Sequence, residues 1–255
     1  MKASKTLLAI ATLIAVSFSC KKSDSAPVAP AATPKTVLAT VNYSAVGSYS
    51  YTYDADGKLQ TETYGGNPSN PPSVNTIKNY DSKGRVVEYA ASFSTSPASN
   101  YKAVIAYDDN GKMERKQTYD ASGNNIGYVN YQYATGKVTV KRYSASNTLQ
   151  QSEEYTLSAD GNNVTSYKVF NGAGTLLSTT DYSNYDTKKG TDALYPYGYY
   201  DYPTSQNNYQ ALSRTTASTG AVTSYTVIYT YNDDGYPLKR TNSTGSTIDY
   251  AYLKK

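Results

Sequence analysis

Residues 48–59 read SYSYTYDADGKL, and this stretch decides the fold. In its first half, tyrosine alternates with small hydroxyl residues. Tyr49, Tyr51 and Tyr53 project to one side of an extended chain, and Ser48, Ser50 and Thr52 to the other. In its second half, Asp54 can bond its own backbone two residues on, and Gly57 supplies a positive φ at little steric cost. Lys58-Leu59 then begins a return strand. The stretch reads as one strand, its turn and the start of the next strand.

The theme recurs along the chain. Tyr80-Asp81-Ser82-Lys83-Gly84, Tyr107-Asp108-Asp109-Asn110-Gly111, Tyr119-Asp120-Ala121-Ser122-Gly123 and Tyr231-Asn232-Asp233-Asp234-Gly235 are clear copies. Looser ones end at Gly136, Gly161 and Gly174. Glycines 57, 84 and 111 are 27 residues apart; glycines 111, 123, 136, 161 and 174 follow at intervals of 12, 13, 25 and 13. One unit is therefore 12 or 13 residues, and about eight to ten remain for each strand, an ordinary length. Those stretches keep a period of two: Gly127, Val129, Tyr131 and Tyr133 share one face, and Tyr225, Val227, Tyr229 and Tyr231 another.

Turns this close leave no room for crossover helices, so successive strands must pair antiparallel. The expectation is an all-β fold, a single antiparallel up-and-down meander of roughly 14–16 strands. An open twisted sheet rarely carries so many. The sheet should curl into a barrel, a roll or a sandwich, which also reduces free edges. The pattern breaks at 186–210, DTKKGTDALYPYGYYDYPTSQNNYQ, where alternation stops and Tyr, Pro and Gly gather. One short helical turn is expected near Asp192–Leu194. Strands resume at 211–214, 221–231, 237–241 and 246–252.

Composition narrows the chemistry. The 255 residues include 30 Tyr but only 3 Phe and no Trp, so tyrosine must supply the bulky side chains of the interior. Charged residues are only 17%, which with so many Tyr, Ser and Thr favours sheet over disorder. No His and one Cys exclude a Ser-His-Asp triad, a Cys-His dyad, His-ligated metal and a disulfide. A formal charge of +4 is too small to imply nucleic-acid binding.

The chain starts with Lys2 and Lys5, followed by the apolar run Thr6–Phe18, too short to cross a ~30 Å hydrocarbon core. It ends in Ser17-Phe18-Ser19-Cys20. This resembles a bacterial lipoprotein signal, which implies cleavage before Cys20 and acyl chains on that residue. Phe18 is bulkier than is usual there. Three acyl chains would anchor firmly where one holds weakly. Lys21–Lys35 is rich in Pro, Ala and Ser and reads as an extended tether. The domain reading is thus 1–19 signal peptide, 20–35 lipidated Cys and tether, and 36–255 repetitive β domain.

The turn units resemble the Tyr-Asp-x-x-Gly hairpins (YD repeats) of RHS-type shells. The later half resembles a family of Bacteroidota lipoproteins of unknown function. The matching stretches are 184–189 (NYDTKK), the Tyr/Pro loop, Asn207-Asn208 and 229–237 (YTYNDDGYP). Gly190-Thr191 departs from the Asn-Pro of that family. The resemblance implies a porin-like, all-antiparallel β fold, a place in the cell envelope at the outer membrane, facing periplasm or cell surface, and no agreed activity.

The residues themselves offer few chemical sites. Counting back five from Gly57, Gly111 and Gly235 gives Thr52, Ala106 and Thr230, so no EF-hand spacing exists, and the aspartates read as turn formers. Glu62, Glu88 and Glu114 follow turns and read as strand-surface charges. Glu153 and Glu154 are neighbours on a strand, hence on opposite faces. No motif names a nucleophile or base, so no catalytic residue, cofactor or metal is expected. The candidate binding residues are Tyr195, Tyr197, Tyr199, Tyr200 and Tyr202, an aromatic group on an irregular loop. The first functional reading is a non-catalytic envelope lipoprotein, held to the membrane by acyl chains, that binds a glycan or an envelope protein. The second is a structural or assembly accessory of an envelope complex. A hydrolase using Glu153 and Asp181 is third.

Overall fold

The computed structural model describes residues 34–44, 46–67, 71–196 and 198–255. The signal segment, Cys20 and the tether up to Thr33 lie outside them, as does Tyr197. Among the described residues, sixteen strands follow one another: β1 (Thr36–Tyr43), β2 (Gly47–Tyr53), β3 (Leu59–Tyr64), β4 (Ser73–Tyr80), β5 (Val86–Phe93), β6 (Tyr101–Tyr107), β7 (Met113–Asp120), β8 (Asn125–Ala134), β9 (Lys137–Ser144), β10 (Leu149–Leu157), β11 (Val164–Asn171), β12 (Leu176–Ser183), β13 (Ala211–Thr216), β14 (Val222–Tyr231), β15 (Pro237–Asn242) and β16 (Thr247–Lys254). Each pairs antiparallel with its sequence neighbours. β1 also pairs with β16, closing the sheet into a barrel. The meander is as expected, and of the three possible forms it takes the barrel. At the seam, Lys35 and Lys255 exchange backbone hydrogen bonds of 2.6 and 2.9 Å.

The turns behave as their residues dictate. The Gly57 N–H donates to the Asp54 carbonyl at 3.2 Å, and Asp54 Oδ1 accepts the N–H groups of Asp56 at 3.0 Å and Lys58 at 2.8 Å. Asp81, Asp120, Asn171 and Asn242 repeat this pattern. The acidic side chains are therefore occupied by their own backbones, as the turn reading requires.

A second repeat joins one hairpin to the next. The Tyr80 hydroxyl donates to the Leu59 carbonyl at 2.6 Å, Tyr107 to Val86 at 2.6 Å and Tyr185 to Val164 at 2.5 Å, each 21 residues back. Tyr252 does the same to Pro237 at 2.6 Å. At three of the turns the cation after the glycine covers the ring of a later unit: Lys58 lies 5.8 Å from the Tyr80 centroid, Arg85 4.0 Å from Tyr107 and Lys112 4.9 Å from Tyr133. The Tyr-Asp-x-x-Gly-Lys/Arg unit thus carries its own turn, a hydroxyl latch and a cationic roof.

The two sides of the wall differ. Inside, Tyr51, Tyr89, Val129, Tyr131, Val140, Tyr155 and Ile248 form one buried cluster. Outside stand Ser48, Ser50 and Thr52 on β2, Lys102 on β6, Lys168 on β11 and Asp249 on β16, all exposed. Lipid-facing barrel walls carry an apolar band, whereas at these positions the exterior carries charges and hydroxyls, with single apolar residues such as Ile228 and Val222 among them.

Two substitutions test this account. Tyr80→Phe removes one latch and should cost about 1 kcal/mol in urea denaturation. Gly84→Ala should cost a similar ~1 kcal/mol from its positive φ alone, since an added Cβ meets nothing within 4 Å. Gly127→Ala should cost more than either, because its Cβ would lie 2.6 Å from the Tyr143 carbonyl oxygen.

Candidate functional site

Between Ser183, which ends β12, and Ala211, which starts β13, the described residues of the 184–210 segment fold into the lumen. Their two arms are zipped at the root. The Asp186 N–H donates to the Asn208 carbonyl at 3.0 Å, and the Gly190 N–H to the Gln206 carbonyl at 2.6 Å. Asn208 Nδ2 donates to the Lys189 carbonyl at 3.1 Å, and Asn163 Nδ2 on the wall donates to Asn207 Oδ1 at 3.1 Å. At the inner end of one arm, Thr191–Leu194 forms a single 3₁₀ turn, where a helical turn was expected.

The tip docks on polar groups that the wall holds ready. Tyr199, only 6% exposed, donates to Glu62 Oε1 at 2.6 Å and accepts from Asn75 Nδ2 at 2.9 Å. The hydroxyls of Tyr195 and Tyr51 lie 2.6 Å apart. Asp201 bonds Lys116 and accepts from Arg142 at 2.8 Å; Arg142 also donates to Glu153 at 3.0 Å. Gln151 and the Tyr155 hydroxyl complete Glu153 at 2.6 and 2.7 Å. Burial raises the Asp201 pKa, but Lys116 and Arg142 outweigh it and hold the carboxyl below the usual range. Burial pushes Glu62 up, against the hydrogen bonds from Tyr199 and Asn75.

Beside this segment the lumen keeps a cavity of about 440 Å³. The inserted arms contribute Asp192, Tyr195, Tyr200, Tyr202 and Tyr209, and the wall contributes Tyr43, Tyr167, Tyr182, Tyr229, Tyr250 and Arg240. Tyr200 and Tyr202 stack, with centroids 5.1 Å apart and planes at 14°. Tyr43 and Tyr202, 37% and 42% exposed, are the lining residues that reach solvent. They set the mouth beside the β1–β2 turn, at the barrel end opposite Lys35 and Lys255. Burial pushes the Asp192 carboxyl up to about 6, partly opposed by the backbone of Ser205.

The five loop tyrosines therefore divide. Tyr195, Tyr200 and Tyr202 line the cavity, Tyr199 is sunk against Glu62, and Tyr197 falls outside the described residues. The surface reading of Glu62 is corrected: it is 8% exposed and faces the lumen, because a bulge between Thr52 and Tyr53 of β2 sets the phase of β3. Glu153 and Glu154 do lie on opposite faces, the latter paired outside with Lys137 at 2.9 Å. Asp181 is exposed and holds Ser166 at 2.7 Å, so the wall separates it from Glu153. Asp192, Tyr209 and Arg240 escaped the sequence reading; nothing local marks them, since segment insertion alone brings them together.

These features define a closed sixteen-strand antiparallel barrel, plugged by its own chain, with a tyrosine-walled lumenal cavity. A porin-like protein from Bacteroides vulgatus shares the fold at 12% identity, TM-score 0.53, over 85% of this chain and 99% of that one. A porin-like protein from Bacteroides uniformis aligns at 11% identity, TM-score 0.41, over 85% and 96%. The Tc holotoxin pore of Photorhabdus luminescens aligns at 13% identity, TM-score 0.30, over 76% of this chain and 12% of that one. No protein-family model matches the chain, and comparison with curated proteins finds no match.

The site yields two predictions. Asp201→Asn leaves Lys116 without its counter-charge in a buried place and should cost about 3 kcal/mol, with hydrogen exchange rising first in residues 195–205. Asp192 has a folded pKa above its unfolded value, so its stabilising contribution is complete at low pH and is lost as pH rises toward and through about 6. Asp192→Asn should therefore raise Tm at pH 7.5 relative to the parent, with the gain vanishing near pH 4.

Proposed function

We propose that this protein is a non-catalytic envelope lipoprotein, anchored at the outer membrane through Cys20, and that its lumenal cavity binds a saccharide. The cavity carries this reading. At about 440 Å³ it falls within the ~300–1,000 Å³ range of small-molecule sites. Its walls are aromatic faces that carry hydroxyls. Such faces cover the C–H surfaces of a sugar, while the hydroxyls orient its polar groups. The stacked Tyr200–Tyr202 pair near the mouth supplies a flat platform. The wall separating Glu153 from Asp181 speaks against the hydrolase that might have used both. The single Cys directly after the apolar run supports the anchor.

Calorimetry with a panel of neutral and acidic di- and trisaccharides tests the binding. Tyr202→Ala should weaken it about tenfold, equivalent to ~1.4 kcal/mol. If no saccharide binds, or if a Tyr43→Ala/Tyr202→Ala double variant binds unchanged, the cavity reading fails. A stoichiometric protein partner pulled from solubilised outer membranes, without saccharide binding, would favour the assembly role. For the anchor, Cys20→Ser should abolish labelling by a palmitate analogue and release the protein into the soluble fraction.

A further inference from the structure

Among the described residues Arg240 is the one cation that lines the cavity, and its guanidinium is unfinished. Nη2 donates to the Tyr209 hydroxyl at 2.6 Å, and the group lies 5.2 Å from that ring's centroid. Nε is buried and has no hydrogen-bond acceptor. Nη1 makes no hydrogen bond among the described residues either. No carboxylate among the described residues comes within ion-pair distance of Arg240.

The rest of the lumen treats its charges differently. Arg142 holds two carboxylates, and Lys116 holds one as well as the Tyr89 hydroxyl. A half-buried guanidinium surrounded by phenols, with two of its three nitrogens unused, is a costly arrangement that an incoming anion relieves. Its place fits that role. Arg240 pairs with Ile248 on β16, and Ile248 pairs with Tyr43 on β1, so the cation sits in the same cross-strand row as the mouth. Asp192, the acidic lining residue, accepts from the Ser205 backbone and has lone pairs left for a hydroxyl of the same ligand.

We infer that the cavity is specific for an acidic saccharide, whose carboxylate is held by Arg240 while its ring lies against the lining tyrosines. A planar guanidinium matches a carboxylate in shape as well as in charge. This rests on the saccharide reading above and narrows it to sugars of the uronic-acid class.

The test uses the full mature chain and three probes: a diuronate such as digalacturonic acid, its dimethyl ester, and the corresponding neutral disaccharide. Esterification removes the charge and leaves the ring and its hydroxyls in place, so the unaltered protein alone can decide. The diuronate should bind at least tenfold tighter than either neutral probe. Arg240→Gln should bring it down to their level, with Arg240→Lys retaining part of the preference and the far-ultraviolet spectrum unchanged. Equal binding of all three probes overturns the inference while leaving a saccharide site in place. A preference that survives in Arg240→Gln also overturns it. If no probe binds, and the wider saccharide panel fails as well, the saccharide reading falls, and this inference with it.

Discussion

Closing sixteen strands into a ring sets the problem that the rest of the molecule solves. A barrel of that size encloses more space than ordinary inward side chains can fill, and membrane porins of this strand number leave a water channel. Here the exterior is largely polar, so burial must come from the inside. The chain meets the demand in two ways. Many of its inward positions are tyrosines, long enough to reach well into the lumen past the valines and leucines beside them, and the described residues between β12 and β13 fold in to occupy much of what remains. A shorter inward side chain would leave voids, and each void forfeits contacts.

Tyrosine also resolves a difficulty that phenylalanine would not. A wide lumen lined only with apolar rings would have no fixed arrangement, since hydrophobic burial has no direction. The hydroxyl supplies direction. At four turns it latches one hairpin to a carbonyl of an earlier strand, three times at a separation of 21 residues and once at 15. In the lumen it ties the inserted segment to Glu62 and pairs Tyr195 with Tyr51. The same side chain therefore fills space and fixes register.

This explains how unevenly the structure could be read from the sequence. The strands, the turns and the antiparallel order were legible because each depends on contacts within about a dozen residues: an alternation of two, an Asx turn and a glycine. Closure into a barrel was not separable from a roll or a sandwich, because the β1–β16 seam joins residues at opposite ends of the domain. The loop tyrosines were visible as a group, yet their division between cavity wall and plug was not. That depends on which lumenal partner each meets, such as Glu62 for Tyr199 at a separation of 137 residues. Glu62 itself was misjudged because one bulge in β2–β3 changes which face its strand presents.

The distribution of charge in the lumen ties this packing to function. Glu62, Lys116 and Glu153 are each less than a tenth exposed, which is costly unless every polar atom finds a partner. Each of the three has partners, and for Glu62 and Lys116 these come partly from the inserted segment. Those charges give the segment one docking position, because a slip by one residue would strand them. On the other side of the same segment the rule lapses: the phenols crowd together, Asp192 stays half-buried with a raised pKa, and Arg240 keeps two nitrogens idle. Where wall and plug meet, the lumen pairs its buried charges; beside the cavity it leaves the Arg240 guanidinium only partly bonded, and there a ligand can supply the missing partners.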